Sequence, residues 1–362
     1  MANPLYHTWF RQVRQLWPTE RITRLQNLVW LLVGIYQSRS VHLSKAAGKM
    51  PGLTRLTSKT RRLSRFLDNP EVRVREWYSP VARGWLGYVA KTVGEIHLVV
   101  DGTKIGFGHQ LLMMGVAYRR RVIPIVWTWV PFVRGHSATD TQLALVTYVH
   151  HLVPRGVPVV LVGDSEFGII PVMKQLDAWC WKYVLRQKSN HQVRQTVRGR
   201  WQNLGDLIQR AGQSRWLGRR WLTQKFAYCV YLLAHWQVGE KEPWLLATNL
   251  ATKPETLRAY RRRMWIEETF GDLKKHGVDL ERTHLRHHSR LSRLTLVVAL
   301  LYVWLITHAQ RAIQGGQRHW VDRRERRDLS IFQIGWRTIE WRLTNELSIS
   351  VLLHVAQPQT VG

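Results

Sequence analysis

Ile96-His-Leu-Val-Val-Asp101 is a β-rich run that ends in a carboxylate, and Val157-Pro-Val-Val-Leu-Val-Gly-Asp164 is a second apolar run with the same ending. A short, continuous apolar run fits a strand buried on both faces. Between the two, Leu111–Tyr118 and Val122–Val130 flank Arg119-Arg-Arg121 as a hairpin, and Ala138–Leu152 has helical periodicity. Beyond the second acid come a short helix, Gly168–Leu176, and a strand, Trp181–Arg186. The order is β-β-β-α-β-α-β. Either acid alone has an ordinary reading, because aspartate often closes a strand in a turn.

That order, with acids ending the first and fourth strands, is the order of the ribonuclease H-like fold. Those two strands are neighbours in it, and a later helix carries a third acid. The candidate is Tyr260-Arg-Arg-Arg263-Met-Trp-Ile-Glu267-Glu-Thr-Phe-Gly-Asp-Leu-Lys274. At about 100° per residue, Arg263, Glu267 and Lys274 fall within about 60° of Tyr260, while Ile266, Phe270 and Leu273 form an adjacent apolar strip. An exposed amphipathic helix is the alternative, but it has no reason to hold Tyr, Arg, Glu and Lys in one register. Pro254 suits the start of this helix and Gly277 its end. Glu268 and Asp272 lie off the stripe and Glu166 lies past its strand, so these three read as structural supports. His276, His284, His287 and His288 lack the helical His-x-x-x-His form with Glu and read as DNA-facing or solvated, with metal binding the minor alternative.

Residues 191–250 contain further strand-like runs: Gln195–Arg198, Trp216–Leu222, Phe226–Leu233 and Trp244–Thr248. The fold class expected is α/β, a ribonuclease H-like core interrupted by a β-rich insertion, with helical N- and C-terminal regions. Its parts are 1–90 (helical, DNA-binding), 91–190 (core, first part), 191–250 (insertion), 251–310 (core, catalytic and following helices) and 311–362 (basic, helical). In the first, Leu43–Gly48, a Pro-Gly turn and Thr57–Leu67 resemble helix, turn, helix. Lys59, Arg62 and Arg65 could then face phosphates while Leu63, Phe66 and Leu67 pack inward. A helical cap with solvated arginines is the other reading. Leu294–Ala309 is an apolar helix, Arg311–Asp328 a basic surface connection and Ile331–Val355 a final helix.

The 362 residues include 54 Lys and Arg against 24 Asp and Glu, a formal charge of +30 spread along the whole chain. Such a body attracts polyanions, nucleic acid first and anionic membrane second. The longest apolar run, Leu294–Ile306, is shorter than the roughly 20 residues a span requires, and the N-terminus carries no secretion pattern. Cys180 and Cys229, both in apolar strand-like runs, make neither a disulfide framework nor a usual zinc site. The expectation is a cytoplasmic, nucleoid-associated protein that binds double-stranded DNA and no membrane.

Asp101, Asp164 and Glu267 are hard oxygen donors from three separate elements. Such a set can hold two Mg²⁺ ions, with Mn²⁺ able to substitute, roughly 3.5–4 Å apart for in-line phosphoryl transfer.

The chain resembles the DDE transposases of the insertion-sequence four (IS-four) group, which carry Tyr, two residues, Arg, three, Glu, six, Lys. Here these are Tyr260, Arg263, Glu267 and Lys274. The resemblance covers most of residues 95–310 and includes the β-insertion. It implies cut-and-paste DNA transposition by a DNA-assembled homodimer, with Asp101, Asp164 and Glu267 as catalytic metal ligands. Tyr260, Arg263 and Lys274 would hold phosphates and a flipped nucleotide. Trp244 matches a tryptophan that stacks on an extruded base, and Arg186 an arginine on the strand after the second acid. Core packing and a solvated edge are the respective alternatives. The Asp164-Ser-Glu-Phe-Gly168 continuation departs from the group's usual Arg or Ala-Gly. A nuclease without strand transfer and a non-catalytic DNA-binding derivative remain competing readings.

Overall fold

The computed structural model describes residues 4–106, 108–131, 137–325 and 327–353. Five helices lead: α1 (Pro4–Leu16), α2 (Ile22–Ser38), α3 (Leu43–Ala47), α4 (Leu56–Asp68) and α5 (Val74–Val93). Next come β1 (Ile96–Ile105), β2 (His109–Tyr118), β3 (Arg121–Pro131), α6 (Thr139–His150), β4 (Val159–Gly163), α7 (Ile170–Ala178) and β5 (Lys182–Arg186). The strands β6 (Gln192–Arg194), β7 (Gln202–Asn203), β8 (Ser214–Leu222), β9 (Tyr228–His235) and β10 (Trp244–Thr248) follow. Last are α8 (Lys253–Tyr260), α9 (Met264–Leu273), α10 (His288–Gln314) and α11 (Ile331–Thr344).

All ten strands join one mixed sheet in the order β3-β2-β1-β4-β5-β10-β9-β8-β6-β7. The β-rich stretch after β5 thus extends the sheet, because β10 pairs antiparallel with β5. β1 lies between antiparallel β2 and parallel β4, and all five residues of β4 are buried. This two-sided burial explains the unbroken apolar runs. In the parallel register Val100 faces Gly163. The next residue on each chain is an aspartate, so Asp101 and Asp164 leave the same end of adjacent strands.

α10 is buried all round, as expected for a helix apolar on every face. It is longer than Leu294–Ile306. By length and hydropathy alone it could cross a membrane, but 94% of its most apolar window lies inside the fold. It packs against α2, α4, α5, β3 and α11, with Trp304 in edge contact with Trp9.

His308, also on α10, is only 6% exposed, and its Nε2–H donates to the Ser350 carbonyl at 2.7 Å. Burial pulls its pKa down to about 4, opposed by that hydrogen bond and helped by Arg311 and Arg342. A depressed folded-state pKa means stability that is full above the unfolded value of 6.5 and lost as pH falls toward 4. The shift corresponds to about 3 kcal/mol. Relative to His308→Gln, the wild type should lose unfolding free energy across that window in denaturant titrations. A pH-independent difference would rule this out.

Four expectations need correction. Gln195–Arg198 is a turn, and the strand lies at Gln192–Arg194; the four residues are exposed and bury no alternating face. The final helix stops at Thr344, before Glu346 in a left-handed conformation (φ 53°); the expected His354–Val355 end lies outside the described residues. The connection from Arg311 begins inside α10 and contains a 3₁₀ turn at Gln317–Trp320. Cys180 sits in an exposed turn at φ 58° before β5.

Candidate active site

The segment from Tyr260 to Lys274 is not one α-helix. α8 begins at a cap in which Thr252 Oγ1 accepts from the Glu255 N–H. It ends at Tyr260, Arg261–Arg263 form a 3₁₀ turn, and α9 carries Glu267. Lys274 lies just past α9, with φ −95° and ψ −119°. Gly277 beyond it is required by space, since a Cβ there would lie 2.0 Å from the Asp272 carbonyl oxygen.

This geometry divides the expected stripe. Arg263 reaches across to β1, its Nη2 2.9 Å from Asp101 Oδ2, while Nη1 lies 2.6 Å from Glu267 Oε1. One guanidinium therefore bridges the strand acid and the helix acid. Asp101 is 4% exposed. Burial pushes its pKa up to about 7; Arg263 and the Gly102 N–H oppose this, while the negative charges of Asp164 and Glu267 add to it. Asp164 is also raised, first by burial and then by Glu166, against Arg263 and the N–H groups of Glu166 and Phe167. Burial works against the charge of Arg263, but Asp101, Tyr260, Glu267 and Asp164 outweigh it and hold the guanidinium protonated.

The other expected residues are more scattered. Tyr260 is 1% exposed, its hydroxyl has no hydrogen-bond partner among the described residues, and its ring meets Trp244 edge-on at 5.0 Å. Burial raises its phenol to about 12; Arg263 and Arg186 oppose, Asp164 and Asp101 reinforce. Tyr260 is thus buried within electrostatic reach of Asp164 and Asp101 and packs against Trp244 of β10. Arg186 binds Glu242 at 3.0 Å and the Pro243 carbonyl at 3.2 Å. Lys274 donates to the Lys104 carbonyl at 2.9 Å and pairs with Glu281 at 3.1 Å, tying α9 to the end of β1. In the N-terminal region, Lys59 donates to the carbonyls of Met50 and Gly52, and Arg62 Nε to Asn27. Lys59 therefore closes the α3–α4 turn, whereas Arg65 is exposed.

Glu166 has a larger part than its sequence position suggested. Its backbone N–H donates to Asp164 Oδ1 at 3.0 Å. Its carboxylate accepts from Gln110 Nε2 at 2.9 Å and from the Ser137 N–H at 2.7 Å. Gln142 donates to its carbonyl. This buried network anchors the loop that carries Asp164. Gly102 leaves room for it, because a Cβ there would meet Gln110 Nε2 at 2.4 Å. No sequence signal marks Gln110 or Gln142; the acid two residues after Asp164 was the only hint. Asp272 and Glu268 are supports as expected: Arg121 binds Asp272 at 2.5 Å and Glu268 at 3.5 Å, fastening β3 to α9.

Three carboxylates from β1, the β4–α7 loop and α9 are hard oxygen donors of the kind Mg²⁺ takes. Burial, reinforced by the charges of Asp164 and Glu267, disfavours the ionised form of Asp101, and a dication would favour it. Among the described residues no three acidic, histidine or cysteine side chains stand at metal-ligand spacing. The positive charge between Asp101 and Glu267 is that of Arg263.

A family model described as the transposase DDE domain matches residues 94–304. No curated protein sequence matches the chain. Among solved structures, it is similar to the piggyBac transposase in a synaptic complex with hairpin DNA, seen by cryo-electron microscopy. The identity is 10% and the TM-score 0.44, covering 100% of this chain and 85% of that one.

Proposed function

The chain belongs to the transposase DDE domain family, and from that membership we propose that it moves a DNA element by cut-and-paste, as a member of the IS-four group. We read β1 to β5 as the ribonuclease H-like core; the order β3-β2-β1-β4-β5, antiparallel on one side of β1 and parallel on the other, supports this. The observation that carries the catalytic reading is the convergence of Asp101, Asp164 and Glu267 around Arg263.

Asp101, Asp164 and Glu267 would hold two Mg²⁺ ions, or Mn²⁺ in their place, once Arg263 left the two carboxylates it bridges here and the three acids closed to metal-ligand spacing. Bound there, the ions would supply Lewis-acid activation of water or of a DNA 3′-hydroxyl and stabilise the leaving oxygen. Arg263, held protonated at the centre of the site, would bind the phosphate being cut. Tyr260 and Trp244 would back an extruded base from beneath, with Arg186 at the rim and Lys274 holding α9 in place. The α3–α4 pair would contact duplex DNA through Arg62 and Arg65, with Lys59 setting the turn. Two copies would assemble on two DNA ends in the bacterial cytoplasm.

The test supplies purified protein with Mg²⁺ and linear duplexes ending in the DNA from either side of the coding sequence. Joined products support transposition. Hydrolysis alone would mean a nuclease, and binding alone a non-catalytic derivative.

A further inference from the structure

On the other side of α9 lies a groove of about 780 Å³ lined by Arg119, Arg120, Arg121, Arg318, Arg327 and Trp265. Met264, Trp265 and Glu268 form its α9 wall, whereas Arg263 binds Asp101 and Glu267 pairs with Arg263. At about 100° per residue, these two sets occupy different helix faces. A second basic cavity shares Arg318 and Arg327 and adds Arg323 and Arg324. The groove is also remote from the acids along the sheet. The β2–β3 turn stands at the end where β1 begins, since Val116 pairs with Leu98, and Asp101 lies further along.

The turn itself is unusual. Tyr118 pairs with Arg121, leaving Arg119 and Arg120 as a two-residue loop with φ of 45° and 63°. Such turns favour Asn-Gly, because both positions need a left-handed backbone. Here two exposed arginines occupy it, and among the described residues no carboxylate pairs with either. Arg121 and Arg318, by contrast, are held by Asp272 and Asp322. The N-terminus of α11, at Ser330 and Ile331, opens on the same groove, adding the positive end of a helix dipole.

We propose that this groove grips the phosphate backbone of a DNA segment separate from the one at the three acids. The proposal rests on the reading that the protein binds DNA, but not on any catalytic role. Arg119 and Arg120, which no described carboxylate pairs, and a helix N-terminus suit a phosphodiester chain, although Glu268 and Asp328 also line the groove.

The experiment measures binding of a labelled random-sequence duplex by anisotropy across a salt series. The proteins are wild type, the double variant Arg119→Gln/Arg120→Gln, and a charge-matched control, Arg83→Gln/Arg155→Gln, whose sites are exposed and outside the groove. Loss of two phosphate contacts should flatten the salt slope by about two and weaken binding roughly tenfold, with the control close to wild type. A double variant that matches wild type, or a control that falls equally, overturns the groove while leaving DNA binding intact. Wild type that binds no duplex overturns the DNA reading itself. An acidic polypeptide whose binding alone depends on Arg119 and Arg120 would reassign the groove to a protein partner.

Discussion

Asp101→Asn is expected to lower DNA cleavage and joining by about 10³-fold or more, with the fold retained. Its carboxylate is the most buried of the three acids and the one through which Arg263 ties β1 to α9. The amide keeps the shape but lacks the charge needed to hold a divalent ion or to keep Arg263 in place. Loss of one member of a group that acts as a unit typically costs orders of magnitude in rate. Arg263 keeps Glu267 as a partner at 2.6 Å, so the variant does not strand a buried charge, and its melting point should stay within a few degrees of wild type. The companion is Glu268→Gln, one residue from Glu267 but on the groove side, which should cleave near the wild-type rate. Cleavage of a labelled duplex, with circular dichroism as the folding check, measures both. A wild-type rate for Asp101→Asn would falsify the catalytic assignment.

Gly335→Ala should strongly destabilise the fold. A Cβ at Gly335 would lie 2.0 Å from the Leu305 carbonyl oxygen and 2.6 Å from its carbon. Both are backbone atoms of α10, so no side chain can swing away. The helices must separate where Gly335 meets Leu305, beside Trp336 and Phe332, both about 1% exposed. Overpacking of this kind costs about 3 kcal/mol. Gly87→Ala on α5 is the counterpart: nothing lies within 4 Å of its Cβ, and the same substitution inside a helix stabilises by roughly 0.5–1 kcal/mol. Urea unfolding of the two variants should therefore move the midpoint in opposite directions. Equal shifts would mean that the α10–α11 crossing is looser than described.

The chain by itself determined what depends on neighbours in sequence. Apolar runs such as Val157–Gly163 fit buried strands, because two-sided burial suits them, and the acids after two of them marked the end of the sheet where chemistry could sit. The spacing of Tyr260, Arg263, Glu267 and Lys274 marked the third element. Long-range pairing decided the rest. The turn at Arg261–Arg263 and the reach of Arg263 to Asp101 separate that stripe into a charged centre, a buried Tyr260 and a Lys274 bound elsewhere. The support of Asp164 by Glu166, Gln110 and Ser137 joins residues up to 56 positions apart. The single sheet arises from the pairing of β5 with β10. None of these contacts has a local period or motif to announce it. Their energy comes from burial and hydrogen bonds formed only once distant strands and helices are packed together.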